Sequence, residues 1–427
     1  MLQAMIDAFS LPDLRKRILF TIGMLVIFRF IAHVPLPGVD LAALNDLFQR
    51  NALLGMLDIF SGGAMRNLSV AAMGVYPYIT SSIIMMLLVP VIPALQALSQ
   101  EGEAGKNRIN LITHWATVPL AAIQGYGQLV FLQRQGVIAT TDLLPTIASV
   151  ISMIAGTMFL VWLGELITEY GIGNGISIII FGGIVAGYPE LIGEGFLAAA
   201  NITGLIAYII LFVATVVLIV IFTEAHRRIP VQYARSVFKS GKMYRQSGSS
   251  HIPLRVNSAG MIPLIFAMSV VLFPGIVASY FVNPAQPGFA DTVMDIFNPN
   301  AALPMGMFYW LLYFLLSVGF TFFYTSVVFQ QQDLPGVLQR QGGFIPGIRP
   351  GKNTAAYLNG VIGHITWAGA LFLATIAIMP FLARTVTNVT QIQLSSLGLL
   401  IVVGVVLDTM KQLEAQLVMR RYEGFIK

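Results

Sequence analysis

The chain has 427 residues, 56% of them hydrophobic and only 10% charged, with a mean hydropathy of +0.79. Soluble domains carry about 25% charged residues, so this composition excludes a soluble enzyme or binding domain and implies an integral membrane protein. The absence of cysteine excludes disulfides and thiolate metal sites, and a net charge of +5 makes the placement of charges matter more than their sum.

A crossing helix needs about 20 residues, and ten runs along the chain are candidates. Residues 1–14 read as a short amphipathic helix at the membrane surface, within a cytoplasmic N-terminus of residues 1–17. Arg15-Lys16-Arg17 precedes a first span at 18–36. The span is read as retained rather than as a signal peptide, because no small-residue cleavage site follows and Arg29 interrupts the run. Leu36-Pro37-Gly38-Val39-Asp40 then opens an outer loop reaching to about Asp58.

Residues 60–73 are small, polar and glycine-bearing, too short to cross and too polar to face lipid. They feed directly into a second span at Gly74–Val91. Such backbone survives at membrane depth only where protein or a water cavity shields it, so this stretch points to an enclosed cavity.

The third span, about 109–132, is weakly apolar and carries Gln124; the fourth, about 146–167, ends near Glu165. Gly171-Ile-Gly-Asn-Gly175 leads to a short fifth span at 176–188, and the sixth occupies 204–222. A long polar insert, 223–256, precedes a seventh span at 258–281 and an eighth at 304–329. A second polar loop, 330–358, contains Ile345-Pro-Gly-Ile-Arg349-Pro-Gly. The ninth span lies at 360–382, the tenth at 394–410, and a tail runs over 411–427.

With the N-terminus inside, nineteen Lys and Arg fall in inner segments and four (Arg50, Arg66, Arg134, Arg384) in outer loops, which supports ten spans with both termini cytoplasmic. Gly74-Val-Tyr-Pro77-Tyr-Ile79 and Gly260-Met-Ile-Pro263-Leu-Ile265 share the pattern G-x-x-P-x-I at the openings of spans two and seven. Two halves of five spans, 18–188 and 189–410, are then inverted repeats, because five is odd; Gly/Pro-interrupted spans at matching places point to the functional site. The expected fold is all-α and polytopic, with ten transmembrane helices in two inverted pseudo-symmetric halves and a short plug helix at about 60–73.

The insert 224–256 holds Arg227, Arg228, Arg235, Lys239, Lys242, Arg245 and Arg255 against one acid, Glu224. A patch of this kind suits ribosomal RNA phosphates or an acidic protein face, although fixing topology is the plainer role. No Walker A sequence, G-x-S-x-G or H-E-x-x-H is present, and the five histidines are scattered, which argues against an enzyme with a cofactor or metal. A secondary transporter shares inverted repeats, but needs ionisable groups near the midplane. Only Arg29 lies inside a span, with Glu165 and Asp408 near span ends.

Phe60-Ser-Gly-Gly63, Pro77-Tyr-Ile79, Glu101-Gly-Glu103, Gly156-Thr-Met-Phe-Leu160, Gly171-Ile-Gly-Asn-Gly-Ile-Ser177, Arg227-Arg-Ile229 and Ile345-Pro-Gly-Ile-Arg349-Pro-Gly351 occur in this order. Together they resemble the SecY/Sec61-alpha family of translocon channel subunits, over about 15–420. The resemblance implies a channel that exports preproteins and inserts membrane proteins. It places a plug at 60–73 with a hinge at Gly62 and Gly63, and an apolar pore ring on Ile79, Ile83, Ile180, Ile184, Ile265 and Ile401.

Two of the ring pairs are spaced i,i+4, on one helix face. Stiff β-branched side chains suit a gasket without specific polar contacts, and a narrow apolar constriction resists wetting. The resemblance also implies a lateral gate between spans two and three and spans seven and eight. Thr80, Gln124 and Asn257 are its polar candidates, each contact contributing about 0.6–2 kcal/mol. For Thr80, bonding to its own helix backbone is the alternative. Implied partners are SecE and SecG, the motor ATPase SecA, the ribosome, preprotein signal sequences and the lipid bilayer, with Arg349 the foremost docking residue. The implied location is the bacterial cytoplasmic membrane.

Overall fold

A computed structural model describes residues 9, 11–50, 58, 61–138, 142–198, 202–239, 242–279, 281, 288–299, 305–349, 351–387 and 396–425. Every predicted span coincides with a helix. In order these are α1 (Pro12–Ile31), α3 (Tyr76–Leu88), α5 (Glu103–Arg134), α6 (Leu143–Tyr170), α7 (Gly175–Ala198), α8 (Ile202–Glu224), α9 (Ile262–Ser279), α11 (Met305–Gln332), α13 (Lys352–Thr387) and α14 (Ser396–Phe425). Shorter helices α2 (Leu41–Arg50), α4 (Pro93–Gln100), α10 (Phe289–Ile296) and α12 (Leu334–Arg340) lie between them.

Among the described residues, five helices are long and apolar enough to cross a membrane alone, and α3 with α4 forms a sixth candidate bent by 97°. Pro90 and Pro93 bracket that bend, where proline removes backbone donors and disfavours helix in the preceding residue. Apolar stretches Gly175–Pro189 and Ile262–Gly275 are shorter.

Several boundaries correct the sequence expectation. Residues 12–17 are the first turns of α1 rather than a separate surface helix, with Pro12 at its N-terminal turn. Residues 1–8 of that proposed helix lie outside the described residues. The helix ends at Ile31, not 36, because 32–40 turns back and pairs with the segment after 68. The tail after 410 continues as helix to Phe425.

The insert 223–256 is not a loop but a β-hairpin, β1 (His226–Lys239) against β2 (Lys242–Arg255). Its register runs from His226↔Arg255 to Lys239↔Lys242, and β3 (Gly343–Phe344) adds to the β1 edge, giving the order β2-β1-β3.

The contacts define two compact units. The first holds residues 1–202, 274–306 and 389–427; the second holds 203–273 and 307–388. In the first, α5 packs on α3 and α6, α6 on α7 and α1, and α7 on α14. Gly171-Ile-Gly-Asn-Gly175 is a steric joint between α6 and α7. The Ile172 N–H donates to Thr21 Oγ1 at 3.2 Å, and the Gly175 N–H donates to Thr168 Oγ1 at 2.9 Å. In the second unit, ring pairs such as Phe222–Phe372 (centroids 4.3 Å apart) and Phe266–Phe320 (5.2 Å) tie α8 to α13 and α9 to α11.

Candidate pore, plug and docking surface

The half-length segment before α3 sits inside the first unit. Ser61, Ala64, Met65, Leu68, Ser69, Ala71 and Ala72 are all buried. The single helix expected over 60–73 is corrected by the structure: 62–68 and 70–75 run as linked turns, and Phe60 lies outside the described residues. The cause is backbone geometry. Gly62 and Gly63 have φ of +67° and +83°, and Leu68 and Gly74 also take positive φ, so right-handed helix cannot propagate.

Buried polar groups take over the bonds a helix would have made. Asp58 Oδ1 accepts from Ser61 Oγ at 2.9 Å and from the Met65 N–H at 3.1 Å. Its other oxygen lies 3.3 Å from Arg66 Nε. Burial raises the Asp58 pKa above the ordinary carboxylate value, against the opposing pull of the Ser61 hydrogen bond and the Arg66 charge. The segment also pairs with the chain after α1. The Leu36 N–H donates to Leu68 O at 2.9 Å and the Val70 N–H to Val34 O at 3.0 Å, around the bridge Pro35↔Ser69.

Three helices offer glycine notches to this segment. A Cβ on Gly125 of α5 would lie 3.3 Å from the Met73 sulfur. One on Gly156 of α6 would overlap the Val70 carbonyl, 2.7 Å from its carbon. A Cβ on Gly62 itself would lie 2.7 Å from the Gly183 Cα of α7. Tight packing of backbone on backbone therefore seats the segment, around a core of Met65, Leu68, Met73, Leu129 and Met153.

The candidate ring residues are placed as follows. Ile180 and Ile184 flank Gly183 on α7 and are 6% and 7% exposed; Ile83 is 7% exposed and Ile79 half-buried on α3. Ile401 is fully buried on α14, the helix that packs on α7. These five share the first unit. Ile265, 4% exposed, belongs to the second.

Thr80 Oγ1 donates to Tyr76 O in its own helix at 3.0 Å. The interhelical bond comes instead from the next residue, Ser81, whose Oγ donates to Thr113 O of α5 at 2.7 Å. The run Thr80-Ser81-Ser82 was the sequence signal, without a way to choose among its members. Gln124 Oε1 and Asn257 Oδ1 are buried with no hydrogen-bond partner among the described residues. Gln128 Nε2 and Thr157 Oγ1, which the sequence did not single out, share that state. Buried polar atoms without partners are rare, so they mark the places where polar contacts can be gained. No group of His, Asp and Glu able to hold a metal occurs among the described residues.

The second unit carries the basic surface. Ile229 and Val231 of β1 are buried with Leu254, Leu338, Ile345 and Leu358, while Arg227, Arg228 and Arg255 are exposed. The two-residue period of the strands puts Arg228 and Arg255 on the face opposite Ile229, Val231 and Leu254, while Arg227 is exposed at the start of β1, beyond the buried stretch. Gly343 brings β3 against β1, since a Cβ there would lie 2.9 Å from the Tyr233 ring. The following loop buries Ile345 and turns at Gly347, exposing Arg349, whose carbonyl accepts from Thr354 Oγ1 at 3.0 Å. The backbones of Arg235, Lys239, Lys242 and Arg245 lie in β1 and β2; their side chains lie outside the described residues.

Comparison with known proteins agrees with this architecture. A sequence model described as SecY matches residues 69–410. The protein translocase subunit SecY of Thermotoga maritima is 40% identical over 438 residues, covering 100% of this chain and 98% of the relative. A solved SecY channel, whose plug domain stabilises the closed state and maintains a membrane seal, superposes with a TM-score of 0.65 at 15% identity, covering 95% of this chain and 92% of the other. Sec61 in the canine ribosome–channel complex superposes with a TM-score of 0.64 at 16% identity, covering 95% and 93%. Shared sequence over the full length and a shared polytopic helical fold lead to one conclusion: the chain belongs to the SecY family.

Proposed function

We propose that this chain is the central pore-forming subunit of a protein-conducting channel. It exports unfolded preproteins across the bacterial cytoplasmic membrane and releases apolar segments sideways into the bilayer. The observation that carries this reading is the turn-built segment 61–75, seated on glycine notches beside Ile180 and Ile184. A stopper held by close backbone packing seals well. It also comes free without breaking a large hydrogen-bonded element.

In this reading Ile79, Ile83, Ile180, Ile184, Ile265 and Ile401 form the gasket around the moving chain, in two inverted halves at 18–188 and 189–410. Side chains with no hydrogen-bonding groups grip every sequence equally. Gln124, Asn257 and Thr80 are the polar residues of the lateral gate in this reading, where an inserting signal sequence competes with polar contacts between helices.

The exposed Arg227, Arg228, Arg255 and Arg349 support docking of an acidic or phosphate-bearing partner. The SecA motor and the ribosome fit that chemistry, with Arg235, Lys239, Lys242 and Arg245 extending the patch and SecE and SecG bracing the helices. Both termini then face the cytoplasm. The channel itself is a conduit and catalyses no reaction; energy comes from the docked partner.

The test is reconstitution. Proteoliposomes holding the chain with its small subunits should take up an unfolded preprotein when the motor and ATP are added. Uptake of a small solute by the chain alone, with no preprotein uptake, would reverse the assignment.

A further inference from the structure

Arg29 has no role in a gasket or a docking surface, yet it is the one Lys or Arg within a predicted span. A cation in that position costs free energy unless something holds it, and marks a functional position by default. Its place in the fold is specific. It sits in the last turn of α1, where the helix dipole favours a positive charge. Its Nη1 donates to the carbonyl of Gly62 at 3.0 Å, reaching across 33 residues of chain.

Gly62 is the first of the two left-handed glycines. The same residue is enclosed on its other sides. A Cβ on it would lie 2.7 Å from Gly183 Cα and 2.9 Å from Cζ of Phe28, the neighbour of Arg29. One helix turn thus supplies both an apolar wall and a charged donor to the hinge. The donor meets a main-chain carbonyl rather than a carboxylate. A carbonyl leaves with the segment, whereas a carboxylate partner would hold the guanidinium in a pair of its own.

We propose that Arg29 is a positioning residue, a latch whose bond to the Gly62 carbonyl holds the plug segment in its seat. The inference rests on the channel reading. Charge-assisted hydrogen bonds are strong enough that losing one shifts a closed–open balance by roughly tenfold or more. Lysine keeps the charge but not the planar, two-pronged reach of guanidinium, so it restores the latch only in part.

The experiment measures ion current through the purified complex in planar bilayers without any motor. The Arg29→Gln variant should raise the open fraction about tenfold, with Arg29→Lys between it and the wild type. A lock then separates the latch from general loss of structure. Pro35 and Ser69 form an antiparallel pair bounded by the bonds Leu36 N–H to Leu68 O and Val70 N–H to Val34 O, the close-spaced pair type in which Cα atoms lie about 4.5 Å apart.

That spacing admits a disulfide, and the chain has no cysteine of its own. With Pro35→Cys and Ser69→Cys added, oxidation should abolish the Arg29→Gln current and reduction restore it. No excess current in either Arg29 variant, or a current that persists through the closed lock, overturns the latch. Deletion of residues 61–68 is the control: current there with none in the Arg29 variants rejects the latch alone, and no current there rejects the channel reading.

Discussion

The glycine seat makes the sharpest quantitative prediction. Replacing Gly156 with valine puts a Cβ 2.7 Å from the Val70 carbonyl carbon and inside contact with its oxygen. Both are backbone atoms with no rotamer to yield. Ordinary contact requires about 3.4 Å or more, so the plug segment or α6 must move by most of an ångström. Overpacking of this kind costs about 1–3 kcal/mol, which weakens seating by roughly 5- to 150-fold. The same change at Gly187 of α7, where nothing lies within 4 Å of the added Cβ, should leave seating unchanged. The assay is single-channel current with the motor absent, alongside cysteine labelling of Asn67 by a membrane-impermeant maleimide. Gly156→Val should raise both; Gly187→Val should raise neither. Equal, wild-type behaviour of the two variants would refute the seat.

Other perturbations probe separate parts. Replacing several of the six isoleucines Ile79, Ile83, Ile180, Ile184, Ile265 and Ile401 with Gly or Ser should increase ion leak during translocation; unchanged conductance counts against the gasket. Arg349→Glu should block preprotein export while the variant still inserts and assembles, and normal export removes its docking role. Gly343→Val forces β3 away from the Tyr233 ring, so partner binding to the inner face should fall at least several-fold with no change in resting current. Asp58 gives a pH signature. Burial raises its pKa in the folded chain above the ordinary carboxylate value, so its contribution to stability is full below that ordinary value and declines as pH rises through the raised one. Subtracting the melting curve of Asp58→Asn from that of the wild type across pH 4–7 should isolate this decline; a flat difference contradicts it.

Hydropathy made the spans legible because a lipid-facing helix must be apolar along its whole length. The Lys/Arg asymmetry made an orientation legible, because basic residues are retained on the cytoplasmic side. The plug segment was legible as a position, through its shortness and polarity. Its conformation was not, because the choice between helix and turns rests on Gly62 and Gly63 lying left-handed, and that follows from tertiary contacts with Phe28 and Gly183.

The hairpin carried a readable signal that a search for spans passes over. Ile229, Val231 and Tyr233 alternate with Arg228, Pro230 and Gln232, and only Ser240-Gly241 separates Lys239 from Lys242. Ser81 rather than Thr80 bonding to α5 was out of reach, since adjacent residues on one helix differ by 100° in direction and no sequence rule fixes the facing partner. The continuation of α14 to Phe425 was hidden by its charges, which end a span but not a helix.

The central claim is that the buried isoleucines line the path of the moving polypeptide. It is tested most directly by a photocrosslinker at Ile401, which is fully buried, against one at Val406 on the same helix, which is 44% exposed. With a preprotein stalled in transit, the account predicts adducts from 401 to the preprotein and none from 406. Adducts from 406 but not from 401 would contradict it.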